Sequence, residues 1–406
     1  MDSTTIESRI RDLDKSPMFN LFLSNKELFH SNFLKWYLEV CNPGAVVRLF
    51  NLENEIRVRS PIRVECSRES KHIDLDVKIF EKEMIDDSDP LYRIIVENKF
   101  KSVPQSEQLS KYYYMITDEK QFKNDKTKFV LLSLIEPGFD INSMRTIIGD
   151  WVRIDYTHIV DVLSSERVSS KIEKSYYEKL VSDYCEFVIT LDHIAKEFIN
   201  GLKDNADFLD HDDDLWREIS SRHLHDLFDK IRYSFLAEAI KSKLDKAVTP
   251  IGPGGLFSLP RLSIAVDYGF TRGTGLTSVD VICRSKNENT PGLSLVIQLQ
   301  NRNLKLAVQS SKHFADFRGI AEKILDNGYG KNNEKWFDFS RIIDESVRGE
   351  NVYPLKDEKK FNKYGNTFLY KSIKFRKPMT LGSIVDVILD YIIIAVRLAD
   401  DGRWFE

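Results

Sequence analysis

The sequence has few cysteines, no long apolar run and no excess of positive charge, and each absence excludes a class of protein. Its four cysteines lie far apart in 406 residues and form no paired motif: Cys41, Cys66, Cys185 and Cys283. That spacing argues against structural zinc or a disulfide framework, and predicts a reduced, cytoplasmic protein. No segment approaches the roughly 20 apolar residues of a membrane span. The N-terminal residues MDSTTIESRI lack signal-peptide character, so we expect no membrane partner.

The charge of the chain is slightly negative, with a net value of -4 and a pI near 6.1. This balance argues against a protein that coats nucleic acid non-specifically, because such proteins usually carry a basic surface. A protein that is slightly acidic overall can still carry a local basic cleft beside acidic residues.

The length of the chain predicts two domains. An acidic stretch with few apolar residues, DNADFLDHDDD at 204–214, is typical of a linker. We therefore predict domains at residues 1–203 and 204–406. The second domain is expected to be α+β and to select substrate, regulate or oligomerise.

Hydrophobic periodicity in the first domain predicts an α/β fold with a mixed sheet flanked by helices. A helix over residues 20–41 is ended by Asn42-Pro43-Gly44. Another helix begins at Pro104, one begins near His158, and a long one covers 171–201. Strands are predicted over residues 55–65 (with an interruption at Pro61), 72–80, 92–100, 128–135 and 151–156.

The second domain shows a helical pattern over residues 215–247 and then several strand-like runs. Strands are predicted over residues 262–268, 278–284, 293–299 and 367–375, with a last helix at 381–398. The runs around Val279 and Ile297 resemble the strands of the first domain, with Gln298 and Gln300 in place of an acid and a lysine. A duplicated core could produce this pattern, but a plain antiparallel sheet produces the same alternation of side chains. We favour the plain sheet.

One predicted strand changes abruptly from apolar to polar and charged residues at its end. Ile94, Ile95 and Val96 predict burial, yet Glu97, Asn98 and Lys99 follow at once. Burying charge without a partner is unfavourable, so such a strand usually opens into a cleft. The preceding strand carries Asp74, and pairing of the two strands as a hairpin would place Asp74 beside Glu97. Two carboxylates and a lysine can hold a divalent ion beside a phosphate.

These residues resemble the motifs of the PD-(D/E)XK nuclease superfamily. Asp74 in HIDLDV is followed by Glu97 and Lys99 in IIVENK and by Gln108 in EQLSKYY. The similarity is to the branch with an IEnK lysine motif and a QLxxY helix, and ELFHSNFLKWYLE is similar to the first helix of that branch. The resemblance implies a restriction-endonuclease-like fold over roughly the first 160 residues.

The resemblance also implies a role for individual residues. Asp74 and Glu97 would bind Mg²⁺ or Mn²⁺, with Glu27 as an accessory acid, and Lys99 would be the catalytic lysine. Gln108 would face the active site, with Tyr112 one turn later. Two features stay open: Asp76 shares a strand face with Asp74 and could be the ligand instead, and His72 stands where the branch often has arginine.

The function implied is a metal-dependent nuclease that hydrolyses nucleic acid, DNA rather than RNA, in a restriction or antiviral (phage) defence setting. Regulation by a partner or by homo-oligomerisation is expected. The alternative is a catalytically silent module that binds nucleic acid or a partner protein. A third interpretation treats the carboxylates as structural ion pairs. His30 and Ser31 are adjacent on a helix and so point about 100° apart, which argues against a catalytic relay; Ser31 is expected to pack or to orient Glu27.

Overall fold

The computed structural model describes residue 18 and most of the chain from residue 28 to residue 400. The described residues are 18, 28–56, 61–69, 72–82, 89–100, 104–119, 126–137, 139–166, 174–203, 214–222, 224–246, 256–270, 277–286, 292–311, 319, 335–339, 342, 361–365, 367–375 and 379–400. Within this part of the chain no helix is both long and apolar enough to cross a membrane.

The chain divides into two units. The first contains residues 1–198 and 217–227, and the second contains residues 199–216 and 228–406. The domain boundary predicted at residues 203/204 lies within residues 199–216, which belong to the second unit, and it stays a prediction.

The first unit contains a five-stranded sheet and helices on both of its faces. Its strands are β1 (Ile62–Ser67), β2 (Leu75–Glu81), β3 (Tyr92–Lys99), β4 (Thr127–Ser133) and β5 (Trp151–Asp155). Its helices include α1 (Leu28–Trp36), α2 (Val46–Leu49), α3 (Ser106–Thr117), α4 (Arg145–Ile148), α5 (Tyr156–Ser165) and most of α6 (Lys174–Lys203), whose residues 199–203 belong to the second unit. A π-helical turn, Tyr37–Cys41, follows α1 and ends at Asn42, where the sequence predicts the end of the helix.

The sheet of this unit is mixed, as predicted. Its strand order is β1-β2-β3-β4-β5. β1 and β3 both pair antiparallel with β2, whereas β3–β4 and β4–β5 pair in parallel. Because β3, β4 and β5 run in the same direction, their carboxyl ends meet at one edge of the sheet.

Three predicted element starts are wrong. β1 begins at Ile62, after Pro61, which has no N–H to donate to a ladder. β2 begins at Leu75 rather than at His72, because His72 has a left-handed backbone with φ 67°. The helix predicted from Pro104 begins at Ser106, with Gln105 extended before it.

One face of the sheet packs against α3, and we call it the α3 face. An apolar cluster fills this contact, formed by Ile73, Ile95, Leu109, Tyr112, Ile116, Phe129, Leu131, Met144, Ile148 and Trp151. Ile95 shares its face with Glu97 and Lys99, because side chains two apart on a strand point the same way. The two charged residues therefore continue the α3 face at the end of β3.

The second unit contains a seven-stranded antiparallel sheet. Its strands are β6 (Leu256–Ser258), β7 (Leu262–Phe270), β8 (Thr277–Ser285), β9 (Leu293–Gln300), β10 (Asn303–Ser310), β11 (Asn362–Tyr364) and β12 (Phe368–Lys374), in the order β11-β12-β10-β9-β8-β7-β6. Every pairing described is antiparallel. A duplicate of the first unit's sheet would contain parallel strand pairs. The described strands of this sheet form no parallel pair, so the prediction of a plain antiparallel sheet is confirmed.

The helical prediction over 215–247 is wrong in one respect. The structure has two helices there, α7 (Asp214–Ser221) and α8 (His225–Asp245), where one continuous helix was expected. The closing helix, α9 (Leu381–Asp400), is confirmed. β10 was not predicted; it follows β9 through a tight turn in which Asn301 has a positive φ of 52°.

Candidate active site

The register of the β2–β3 hairpin places Asp74 opposite Glu97. The last ladder pair is Leu75 with Val96, and the next position on each strand is Asp74 and Glu97. Directly opposite residues of an antiparallel pair have Cβ atoms about 5 Å apart and point to the same face. The Asp74 carboxylate also accepts a hydrogen bond of 2.7 Å from the backbone N–H of Asn98. This bond holds Asp74 against the end of β3, beside Glu97.

Glu97 and Lys99 form a buried ion pair at the end of β3. The Lys99 Nζ lies 2.7 Å from Glu97 Oε1, and the two residues are 7% and 1% exposed. Gln108, on the first turns of α3, donates from its Nε2 to the same oxygen at 2.7 Å. The side chains of two elements therefore converge on one carboxylate, and the predicted residues Glu97, Lys99 and Gln108 are together in the structure.

Tyr112 lies one turn after Gln108 and completes this cluster. Its hydroxyl accepts a 3.0 Å hydrogen bond from Gln108 Nε2. Burial raises the pKa of the Tyr112 hydroxyl, and the nearby Glu97 carboxylate raises it as well. The phenol therefore stays protonated at neutral pH and keeps its proton to donate.

The two aspartates of β2 and its approach have different environments. Asp76 is buried, and the Arg93 guanidinium binds it through two hydrogen bonds, Nε–Oδ1 at 3.0 Å and Nη2–Oδ2 at 2.7 Å. Arg93 also pairs with Glu119 at 2.9 Å. Asp76 is therefore not a surface acid. The Arg93 guanidinium binds both oxygens of the Asp76 carboxylate, while Asp74 is half-buried next to Glu97; Asp74 stays the predicted ligand.

Asn98 is a residue of the site that sequence reasoning did not single out. Its side chain points to the opposite face from Glu97 and Lys99, where it donates to Ser31 Oγ at 3.1 Å. It also accepts from the Tyr156 hydroxyl at 2.6 Å. These bonds fix the backbone N–H that binds Asp74. The signal in the sequence that could have identified it is an amide side chain between two charged residues at the end of an apolar strand.

His30 and Ser31 are structural in this fold. His30 is fully buried, stacks on Phe100 with ring centroids 3.5 Å apart, and its Nδ1 lies 3.0 Å from the Tyr184 hydroxyl. Ser31 accepts a hydrogen bond from Asn98. Ser31 therefore supports the end of β3, and its expected contact with Glu27 falls outside the described residues, as does Glu27 itself.

The donor set fits a hard divalent cation. Among the described residues no group of three or more His, Cys, Asp or Glu side chains is arranged to hold a metal. Mg²⁺, however, commonly binds one or two carboxylates and keeps several of its waters. Asp74 and Glu97 supply two negative charges and Lys99 supplies one positive charge, so this half-buried cluster carries a net negative charge that a cation would offset.

Comparison with known proteins finds one family match, and it lies within the first unit. Residues 18–186 match the model of the PD-(D/E)XK nuclease superfamily. No curated protein and no solved structure shows a significant match. The matched region begins before α1, includes the whole five-stranded sheet and ends within α6. The resemblance to the superfamily is therefore confirmed for this region, and the branch within it stays a prediction. The match supports nuclease chemistry on a nucleic acid in general.

Proposed function

We propose that the protein is a Mg²⁺- or Mn²⁺-dependent endonuclease that hydrolyses phosphodiester bonds of DNA. The observation that carries this proposal is the convergence of Asp74, Glu97, Lys99 and Gln108 at the carboxyl end of β3. A catalytically silent member of the fold would have no need to keep two carboxylates and a lysine together in a partly buried cluster, because burying charge is unfavourable.

Each of these residues would have a separate role in the proposed reaction. Asp74 and Glu97 would hold the ion. Glu27 remains a predicted accessory acid, and this prediction rests on the family resemblance alone. A bound divalent ion acts as a Lewis acid that polarises the phosphate and lowers the pKa of a water. The Lys99 ammonium, held beside Glu97, supplies positive charge where the phosphate gains negative charge.

Gln108 and Tyr112 serve the site by orientation. The Gln108 amide fixes Glu97 Oε1, so the other oxygen of that carboxylate keeps a defined direction. The Tyr112 hydroxyl accepts from Gln108 and can donate its own proton to a phosphate oxygen or a water.

Cleavage assays test this proposal directly. Supercoiled plasmid, linear duplex, single-stranded DNA and RNA are each incubated with the full chain and Mg²⁺ or Mn²⁺. Lys99→Ala is expected to lower the cleavage rate by about 10²- to 10³-fold, the usual effect of removing one group that stabilises transition-state charge. Lys128→Ala is the matched control, because Lys128 lies in the adjacent strand at the opposite end of the sheet and pairs with Glu55.

The outcomes separate the proposal from its alternatives. Equal cleavage by wild type and Lys99→Ala would show that the activity does not come from this site. Metal binding and nucleic-acid binding without cleavage of any substrate would favour the silent module. Cleavage of RNA alone would keep the nuclease and overturn the choice of DNA.

We extend the proposal to restriction or antiviral defence by analogy with the family alone. Cells that express the wild-type chain should survive phage challenge better than cells that express Lys99→Ala at equal levels. Equal plating efficiency over a diverse phage panel would overturn this part while leaving the nuclease activity standing.

A further inference from the structure

An arginine two strands from Glu97 lies on the α3 face, the same face as the candidate active site. Arg153 of β5 pairs in register with Leu131 of β4, and Leu131 pairs in register with Glu97 of β3. In-register partners of parallel strands project to the same side of a sheet. With strands about 4.8 Å apart, the Cα atoms of Arg153 and Glu97 are separated by roughly 10 Å.

The protein holds Arg153 in a fixed orientation. Its Nε donates to Ser133 Oγ at 2.9 Å, and its Nη2 donates to Asp155 Oδ2 at 2.7 Å. Asp155 is itself anchored, because its Oδ1 accepts from both the backbone N–H and the hydroxyl of Thr157 at the start of α5. Burial alone would raise the pKa of Asp155, but the Thr157 hydrogen bonds and the Arg153 charge outweigh burial and lower it.

The remaining nitrogen of the guanidinium has only a weak partner among the contacts described. Arg153 Nη1 lies 3.9 Å from Glu136 Oε1, and the Glu136 side chain is 87% exposed while that of Arg153 is 21% exposed. An exposed ion pair at that distance contributes little, so Glu136 can move away without a large loss of stability. The Nη1 edge is therefore the part of Arg153 that an anionic ligand can reach.

We infer that Arg153 binds a backbone phosphate of the nucleic acid, away from the bond that is cut. The inference rests on the proposed function, and it adds a substrate-binding residue that the motifs do not contain. A strand of duplex DNA carries one phosphate for roughly every 3.4 Å of axis, so a strand that passes Lys99 has another phosphate within reach of Arg153. A guanidinium held through two of its nitrogens loses little entropy when a phosphate binds the third.

The salt dependence of binding distinguishes a phosphate contact from a structural role. Binding of a short DNA duplex, and of single-stranded DNA and RNA of the same sequence, is measured over a range of salt concentrations. All chains carry Lys99→Ala, so that the probes remain uncut. Adding Arg153→Gln should weaken binding about tenfold, as expected for one lost hydrogen bond to a charged group. It should also make the slope of log K against log salt shallower by about 0.9 for duplex or about 0.7 for single strands.

Two further variants control the experiment. Arg63→Gln removes an arginine of the same sheet, at the end of β1 distant from Asp74, which pairs with Glu65 on the same strand; it should leave the slope unchanged. Glu136→Gln should tighten binding two- to threefold, because it removes the group that competes with phosphate for Nη1. This second variant keeps the fold intact, so it tests the inference even where Arg153→Gln proves unstable.

An unchanged slope in a folded Arg153→Gln chain, or no gain of affinity in Glu136→Gln, would overturn the inference. If the Lys99-intact chain cuts DNA while Arg153→Gln keeps its slope, only the inference is wrong. Suppose instead that the Lys99-intact chain cuts no substrate and still binds DNA, with Arg153→Gln reducing the slope of log K against log salt. In that case only the proposed activity is wrong. Absence of binding to any of the three probes would overturn both.

Discussion

Substituting the two neighbouring aspartates separately should produce opposite patterns of stability and metal response. Asp76→Asn breaks an ion pair whose side chains are 7% and 18% exposed, and it leaves the Arg93 guanidinium partly uncompensated. Removing one partner of a buried pair destabilises by about 3–5 kcal/mol. Since the asparagine oxygen still accepts one hydrogen bond, we expect about 3 kcal/mol. Asp74→Asn keeps the acceptor for the Asn98 N–H, so the metal-free protein should change by less than about 1 kcal/mol.

Addition of metal should stabilise one of the two variants and not the other. An ion that binds only the folded state adds about 2.7 kcal/mol at a concentration one hundred times its Kd. For a unit of this size each kcal/mol shifts Tm by about 2–4 °C, so Mg²⁺ or Mn²⁺ should raise the Tm of the wild-type first unit by about 5–10 °C. Asp76→Asn should show the same rise from a lower starting point. Asp74→Asn and Glu97→Gln should lose the rise.

Differential scanning calorimetry of the full chain, with and without metal, measures both quantities. The transition of the first unit is identified as the one that Asp76→Asn lowers. Loss of the metal response in Asp76→Asn and its retention in Asp74→Asn would refute the assignment of the ligand. A wild-type protein with no metal response at high Mg²⁺ and Mn²⁺ would refute the metal site itself.

Three further substitutions test other parts of the structure. Asn98→Ala should destabilise the first unit by about 1–3 kcal/mol and lower kcat more than it raises KM, because it frees the backbone that orients Asp74. Unfolding experiments measure the first effect and steady-state cleavage measures the second; an unchanged kcat would contradict this role. Gly149→Ala should destabilise by about 2 kcal/mol or more, because φ is 87° and a Cβ would lie 2.1 Å from the Tyr113 ring; a Tm equal to wild type would contradict it. Asp280→Asn should raise the Tm of the second unit at neutral pH, since burial raises the pKa of Asp280 in the folded state and folding therefore loses stability as pH rises above about 4. A Tm difference that persists unchanged at pH 3, where both states are protonated, would contradict that cause.

The sequence predicts the first sheet well, because each strand has a strong local signal. Apolar runs such as that before Glu97 specify buried strands, and the carboxyl end of β3 is marked by the change to charge. Element starts are less well predicted, since they depend on single backbone conformations. The left-handed φ of His72, which delays β2 until Leu75, has no signature in the alternation of HIDLDV.

The choice between Asp74 and Asp76 shows the limit of periodicity more sharply. Both lie on the same face at a spacing of two, so alternation treats them alike. What separates them is the partner on the neighbouring strand: Arg93 reaches Asp76, whereas Asp74 lies opposite Glu97. Cross-strand register is a non-local property, and it is absent from the pattern of either strand alone.

The position of Asn98 links the two faces of the sheet. Glu97 and Lys99 face α3, but the residue between them must face the opposite side, toward α1 and α5, because side chains alternate along a strand. There its amide joins Ser31 of α1 to Tyr156 of α5, while its backbone N–H holds Asp74. Ser31 of the first helix is therefore linked to the candidate active site through Asn98, on the opposite face of β3. A substitution of Ser31 can thus alter the position of Asp74, the predicted metal ligand, without touching it, and the pattern of acidic residues alone does not predict this effect.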